Sequence, residues 1–346
     1  MTRRHTFALF AVLSSTLFAC GSSESTPDTL FSTGAGATGG TGGTGGSGGM
    51  GSGGMGSGGA GGAGGAGGGA AACVGLDGTP GDFERTLLSG TQMREYRVHV
   101  PPGYDPTKPT MLVLVFHGFL ETSEQIEDIT VMTPVSDARN FLLVYPQGLS
   151  TSWNAGACCG SSASSDVEDV KFVGEMLDAL SQEYCVDPKR VFASGFSNGG
   201  MLSHRLACEM SDRIAAIGPV AGTMAIDDCT PARPVPVMHV HGTSDFVVPY
   251  NGGGLGGAQS VQNTITAWKE RNGCTDGQPT GVYENGDALC VEYSQCNAQA
   301  SVRLCTLDGG GHQWPGGTSA GPGGTLSMDL ATSEALAAFF EAHPMP

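Results

Sequence analysis

Hydrophobic and polar positions follow two different periods along the chain from residue 73 to residue 346. Apolar and polar side chains alternate over residues 96–100, which is the pattern of a half-exposed strand. Continuous apolar runs over residues 111–116 and 141–145 are typical of parallel strands that are covered on both faces. Apolar residues recur at helical spacing in three long stretches: 166–184, 260–270 and 328–342.

Shorter apolar runs predict the remaining strands: 191–194, 215–220, 235–240 and an antiparallel pair at 289–293 and 301–307. Asp166 is predicted to be the N-cap of the helix at 166–184, with Asp169 completing a capping box. Strands that alternate with helices predict an α/β fold with a mostly parallel sheet and helices on both faces.

A Gly-x-Ser-x-Gly pentapeptide centred on Ser197 directly follows the predicted strand 191–194. Apolar residues at helical spacing come next, so the pentapeptide lies between a strand and a helix, as a nucleophile elbow requires. The same pattern at Ser47 and Ser319 lacks these flanks. Ser197 is therefore the candidate nucleophile.

A serine nucleophile needs a histidine base and an acid that orients the base. Asp245 lies in a loop after the predicted strand 235–240, and His312 follows the strand 301–307 behind three consecutive glycines. Their order after the serine is the order Ser, Asp, His. Asp308 is an alternative acid, although it precedes His312 by only four residues.

Two further features of the site are predicted from the same loops. The backbone N–H groups of Asn198 and Phe119 are candidate donors of an oxyanion hole. Trp153 and Trp314 lie near these loops and are the predicted substrate-binding residues, which favours an aromatic or sugar-bearing substrate, although tryptophan also packs in cores. No cofactor is predicted.

His239 and His241 would share one face of a strand, as metal ligands sometimes do. The sequence offers no clear third ligand to complete such a set. Packing beneath the site is the favoured interpretation, and no metal is predicted.

The first 72 residues differ in composition from the rest. Residues 1–19 have the charged start and short apolar core of a signal peptide, followed by Cys20 as in bacterial lipoproteins. The alternative is an ordinary signal peptide with an incidental cysteine. Residues 20–72 are glycine-rich and predict a flexible linker, and residues 73–346 form one globular domain.

The formal net charge of -17 disfavours binding to nucleic acid or to anionic lipid headgroups. The expected partner is a neutral polymeric or oligomeric ester, with membrane contact only through a lipid on Cys20. The expected state is a monomer at the cell surface or outside the cell.

The chain has eleven cysteines, and the ten beyond Cys20 allow five disulfides in an exported protein. The predicted elements favour three pairs: Cys290–Cys305, Cys274–Cys296 and Cys208–Cys229. Two alternatives remain for the adjacent Cys158 and Cys159. They form a vicinal disulfide, or both are free thiols unless one of them pairs with Cys185 instead.

Six motifs in order resemble the secreted polyhydroxybutyrate depolymerase / feruloyl and acetylxylan esterase group over about residues 73–343. The motifs are Phe116-His117-Gly118, Tyr145-Pro146-Gln147-Gly148, Trp153-Asn154-Ala155-Gly156-Ala157-Cys158-Cys159-Gly160, Gly195-Phe196-Ser197-Asn198-Gly199-Gly200-Met201, His241-Gly242-Thr243-Ser244-Asp245 and Gly310-Gly311-His312-Gln313-Trp314-Pro315-Gly316. The resemblance implies an α/β-hydrolase fold, a metal-free serine-esterase mechanism and the triad Ser197, Asp245 and His312. It also implies a Cys73–Cys185 disulfide.

The resemblance does not fix the substrate, because the group includes enzymes for feruloylated xylan, acetylated xylan and poly-3-hydroxybutyrate. The sequence predicts an extracellular serine esterase that acts on polysaccharide-linked esters. The alternatives are a poly-3-hydroxybutyrate depolymerase and a non-catalytic surface-binding protein on an esterase scaffold. The intact triad argues against the last alternative.

Overall fold

A computed structural model describes residues 73–254, 257–319 and 325–346. These residues belong to one compact unit of the chain. The predicted signal peptide 1–19, Cys20 and the glycine-rich linker 20–72 lie outside the described residues. None of the described helices is long and apolar enough to cross a membrane.

Within the described residues, ten strands form a single sheet in the order β1-β2-β4-β3-β5-β6-β7-β10-β9-β8. The strands are β1 (Gly81–Ser89), β2 (Gln92–Val100), β3 (Thr110–Phe116), β4 (Leu142–Pro146), β5 (Val186–Phe196), β6 (Ala216–Val220), β7 (Val237–Gly242), β8 (Thr280–Asn285), β9 (Ala288–Tyr293) and β10 (Val302–Leu307).

The central strands β4, β3, β5, β6, β7 and β10 are parallel, and antiparallel strands extend the sheet at both ends. Every residue of β3, β4, β6 and β7 is buried, because helices cover both faces there. This explains the continuous apolar runs in the sequence.

In the part of the chain that the structure describes, seven helices flank the sheet: α1 (Ser123–Thr130), α2 (Met132–Arg139), α3 (Gly160–Ser164), α4 (Asp169–Glu183), α5 (Asn198–Glu209), α6 (Val261–Arg271) and α7 (Thr332–Glu341). Short 3₁₀ turns occur at Leu149–Thr151 and Asn297–Gln299. The core is divided into two clusters by the sheet. One contains Phe172 of α4 and Trp268 of α6, and the other contains Ile126 of α1 and Phe339 of α7. The predicted α/β architecture is confirmed.

The start of α4 differs from the prediction. The helix begins at Asp169 rather than Asp166, and no side chain caps it. The Asp166 carboxylate accepts a hydrogen bond from Asn154 Nδ2, and Asp169 forms a buried ion pair with Arg94 at 2.7 Å. Both carboxylates accept hydrogen bonds from Asn154 in the neighbouring loop, so the predicted capping box does not form.

Five disulfide bonds link the described cysteines: Cys73–Cys185, Cys158–Cys159, Cys208–Cys229, Cys274–Cys296 and Cys290–Cys305. Of the two alternatives for Cys158 and Cys159, the structure has the vicinal bond. Cys290 and Cys305 face each other across the β9–β10 pair, as the hairpin predicted.

Candidate active site

Ser197 occupies a sharp turn between the end of β5 and the start of α5. Its φ of 53° and ψ of -117° are unusual for a residue with a side chain, and such strain is found mainly at functional positions. The turn depends on glycine, because a Cβ on Gly199 would collide with the carbonyl oxygen of Phe116 in β3. The N–H of Ser197 donates to the Val220 carbonyl at 2.8 Å, which holds the elbow on the sheet.

The predicted acid and base form a buried pair at the ends of β7 and β10. His312 Nδ1 lies 2.7 Å from Asp245 Oδ2, and each residue is less than 5 % exposed. Asp245 Oδ1 accepts hydrogen bonds from the N–H groups of Val247 and Val248, both at 2.9 Å. One oxygen therefore orients the imidazole while the other is fixed by the loop. The ring of Phe196 packs against His312 at 4.7 Å between centroids.

The surroundings of Asp245 keep its carboxyl group ionised. Burial by itself raises the pKa of Asp245, but hydrogen bonds with His241 and His312, the charge of His312 and the Val248 N–H outweigh burial. The pKa is lowered overall. An ionised Asp245 can hold the proton of His312 on Nδ1 and leave Nε2 as the base.

Ser197 and His312 line one cleft of about 150 Å³. The other lining residues are Gly118, Phe119, Glu121, Cys158, Cys159, Phe196, Met201, Val247 and Val248. Most of these side chains are apolar, so the cleft suits the uncharged part of an ester. The structure thus brings together Ser197, Asp245 and His312.

The candidate oxyanion hole lies between the elbow and the loop after β3. The Asn198 N–H is at the first turn of α5, where helical amides lack an intrahelical acceptor. The carbonyl of Gly118 accepts hydrogen bonds from His117 Nδ1 at 2.7 Å and from Glu121 N at 3.2 Å. These two bonds fix the peptide that carries the Phe119 N–H, which points away from its own carbonyl.

His117 supports this loop from the core side. Its Nε2 accepts the Gly148 N–H at 2.9 Å, so Nδ1 carries the proton that is donated to Gly118. Burial lowers the pKa of His117 to about 4, although the bond with Gly118 raises it slightly. His117 is therefore neutral at ordinary pH and holds a fixed pattern of donor and acceptor.

Trp153 and Trp314 do not line the cleft, so their predicted role in substrate binding is wrong. Both are fully buried. Trp153 Nε1 donates to the carbonyl of His117 at 3.0 Å, and its backbone exchanges two hydrogen bonds with the Asn198 side chain. Trp314 Nε1 donates to Ser333 Oγ at 3.1 Å. Both rings stabilise the catalytic loops from behind.

Sequence reasoning missed two exposed apolar residues that are neighbours in sequence of residues that line the cleft. Leu120 and Phe246 are 69 % and 64 % exposed, and each is next to residues that line the cleft. They follow Phe119 and Asp245 directly, so adjacency to the predicted catalytic loops was the signal that could have identified them.

The other candidates from the sequence have structural roles. Asp308 is exposed and accepts a hydrogen bond from Thr243 Oγ1, while Asp245 holds His312. His239 and His241 are buried side by side, with His239 Nε2 3.1 Å from His241 Nδ1.

His241 Nε2 donates to the Val248 carbonyl at 2.8 Å. Burial, followed by the neighbouring histidines, holds the pKa of His239 well below its usual value. The pair supports the loop that carries Asp245.

The sheet, the elbow and the two loops after β7 and β10 define an α/β-hydrolase, as the sequence predicted. An acetylxylan esterase from Aspergillus awamori has this fold. It superposes with a TM-score of 0.53 at 13 % identity, over 75 % of this chain and 99 % of that one.

A model of the phospholipase/carboxylesterase family matches residues 162–275. Feruloyl esterase B from Piromyces equi is 32 % identical over 63 % of this chain, but this chain spans only 42 % of it. Feruloyl esterase C from Emericella nidulans is 29 % identical over 73 % of this chain and 88 % of its own length. The predicted resemblance to feruloyl and acetylxylan esterases is confirmed.

Proposed function

We propose that the protein is an extracellular serine esterase that hydrolyses feruloyl or acetyl esters on a plant polysaccharide. The observation that carries this proposal is the Asp245–His312 pair, which opens into the same cleft as the strained Ser197. The relatives named as feruloyl esterases support the choice of substrate class.

In the proposed mechanism, His312 Nε2 takes the proton of Ser197 as Oγ attacks the ester carbonyl. Asp245 keeps the proton on Nδ1 and stabilises the imidazolium that forms. The Asn198 and Phe119 N–H groups donate hydrogen bonds to the oxyanion and stabilise its charge. His312 then protonates the leaving alcohol, and water that is activated by the same imidazole releases the acid from Ser197.

A second candidate substrate is poly-3-hydroxybutyrate. The apolar cleft, and the exposed Leu120 and Phe246 next in sequence to residues that line it, favour contact with an apolar polyester surface. The chemistry at Ser197 would be the same for either polymer. The substrate would be polymeric or oligomeric, and the protein would act on it as a monomer without nucleic-acid partners.

The deciding experiment compares methyl ferulate, acetylated xylan and a poly-3-hydroxybutyrate film as substrates of the wild-type protein. Preference for the film would replace the polysaccharide proposal with the polyester one. Ser197→Ala is the control for catalysis, measured with p-nitrophenyl acetate. Equal rates in Ser197→Ala and wild type would instead favour a non-catalytic surface-binding protein.

The proposed location is the outer face of a bacterial envelope. Five disulfides support an oxidising compartment outside the cytosol. A lipid on Cys20 and the glycine-rich linker after it would tether the enzyme near its substrate. Cys20→Ser should move the protein from the membrane fraction to the medium, and unchanged fractionation would exclude the lipid anchor.

A further inference from the structure

One charged side chain in the cleft has no part in the mechanism above. Glu121 lines the cleft with Ser197 and His312, among side chains that are mostly apolar. Burial raises the pKa of its carboxyl group, while the Gly118 N–H and the charge of His312 lower it. A partly buried carboxylate at such a position is costly unless it has a partner.

Only one of its two oxygens has a partner. Oε2 accepts the Gly118 N–H at 2.7 Å, and the Glu121 backbone N–H donates to the Gly118 carbonyl at 3.2 Å. The carboxylate is thus held in one orientation by its own loop. Among the described residues, no hydrogen-bond donor reaches the second oxygen, Oε1, and Glu121 is one of the residues that line the cleft.

The position of Glu121 relates this oxygen to the leaving group. Glu121 and His312 line the same cleft, and in the proposed mechanism His312 gives its proton to the leaving alcohol. A group bound beside Glu121 therefore belongs to the alcohol side of the ester. A carboxylate oxygen only accepts hydrogen bonds, so that group has to be a donor.

We propose that Glu121 is a specificity-determining residue whose free oxygen accepts a hydrogen bond from a hydroxyl next to the ester oxygen of the leaving alcohol. The ligand class is a neutral polyol ester, as when an acyl group is carried by one of two adjacent sugar hydroxyls. This inference rests on the proposed function and narrows it to the alcohol half of the substrate.

The test uses 2-hydroxyethyl acetate and 2-methoxyethyl acetate. Both alcohols carry an oxygen at the same position, but only the first can donate a hydrogen bond. The measured quantity is kcat/KM for 2-hydroxyethyl acetate divided by kcat/KM for 2-methoxyethyl acetate. In Glu121→Gln the side-chain carbonyl still accepts the Gly118 N–H, and an amide donor replaces the free acceptor in the cleft. We expect the ratio to fall about 10-fold, since a hydrogen bond to a charged group is lost.

Glu124→Gln is the matched control, because Glu124 is an exposed carboxylate three residues further along, outside the cleft. Its ratio should equal that of the wild type. An unchanged ratio in Glu121→Gln, or the same fall in both variants, would overturn the proposal. If the wild type hydrolyses none of the three esters (2-hydroxyethyl acetate, 2-methoxyethyl acetate and p-nitrophenyl acetate), the proposed function fails instead.

A measurement on the wild-type protein alone keeps the proposal testable if Glu121→Gln does not fold. Ethylene glycol or 2-methoxyethanol is added during hydrolysis of p-nitrophenyl acetate, and the acetate ester of each alcohol is quantified. Glu121 should make ethylene glycol the better acceptor of the acetyl group from Ser197. Equal capture by the two alcohols would contradict the role of Glu121.

Discussion

At the scale of single residues, hydrogen bonds fix the orientation of the side chains at the site. Asp245 and Glu121 each bond to backbone N–H groups of their own loops, and His117 bonds to the backbone of Gly118 and Gly148 behind the cleft. His312 is held by Asp245 and packed against Phe196. The reacting groups are thus oriented before substrate arrives, which is how electrostatic preorganisation lowers a barrier.

The role of Asp245 can be tested by replacing its charge. Asp245→Asn should lower kcat by about 10⁴, because the amide would favour the wrong tautomer of His312. Steady-state kinetics with p-nitrophenyl acetate would measure this loss. Asp308→Asn removes a charge of the same kind from an exposed position and should retain activity. A larger loss in Asp308→Asn would assign the acid to that residue.

Sequence predicted the positions of Ser197, Asp245 and His312 better than it predicted their surroundings. Ser197, Asp245 and His312 could be identified because chain order and the flanking strands restrict a catalytic triad strongly. Trp153 and Trp314 were misassigned, because nearness in sequence to a catalytic loop does not say whether a side chain lies in front of the loop or behind it. Glu121 was missed, since a single acidic residue has no spacing that distinguishes it from surface charge.

At the scale of elements, the close packing of the elbow against β3 limits which residues the turn accepts. Burial on both faces gives the central strands continuous apolar runs, so the sequence predicted them, whereas it did not predict β8. Every residue of β8 is exposed, so its sequence has no apolar alternation. The start of α4 was misplaced because Asp166 and Asp169 bond to the Asn154 loop instead of capping a helix.

Gly199→Ala tests the packing of the elbow. The added Cβ would meet the backbone of Phe116, which cannot move without shifting β3. We expect the free energy of unfolding to fall by about 1–3 kcal/mol, as for other overpacked sites. Urea denaturation would measure the change.

Gly281→Ala is the control for this substitution, because a Cβ at Gly281 in β8 would meet no atom within 4 Å. It should leave the free energy of unfolding nearly unaltered. Equal stability of Gly199→Ala and the wild type would contradict the steric argument.

The disulfide across β9 and β10 stabilises the strand that leads to His312. Cys290 and Cys305 are 15 residues apart, and a bridge that closes a loop of this length contributes about 3 kcal/mol in the chain-entropy account. Replacing both cysteines by alanine should lower Tm in a calorimetric scan. A Tm equal to that of the wild type would mean that the packed hairpin alone fixes the strand.

At the scale of the whole molecule, burial of neutral histidines makes stability depend on pH. Burial lowers the pKa of His117 to about 4 and that of His204 to about 3, from 6.5. Between pH 6.5 and about 4 the unfolded chain therefore binds more protons than the folded one. Stability is full above pH 6.5 and is lost as the pH falls through this window.

His117 alone should reduce the free energy of unfolding by about 3 kcal/mol between pH 7 and pH 4. Urea denaturation at several pH values would measure the slope. His117→Asn keeps a polar side chain that does not titrate, so its stability should depend less steeply on pH. Identical slopes in the two proteins would show that His117 does not contribute.

The order of strands in the sheet has a consequence for the timing of activity. Ser197, Asp245 and His312 follow β5, β7 and β10, and β10 pairs with β7 only after the 59 residues between Gly242 and Val302 have folded back. Such long-range parallel pairing is slow to form. A nascent or partly refolded chain therefore has the nucleophile but not the base. During refolding, we expect ester-hydrolysing activity to return later than the native tryptophan fluorescence. The protein would therefore be inactive until β10, the last central strand, has paired with β7.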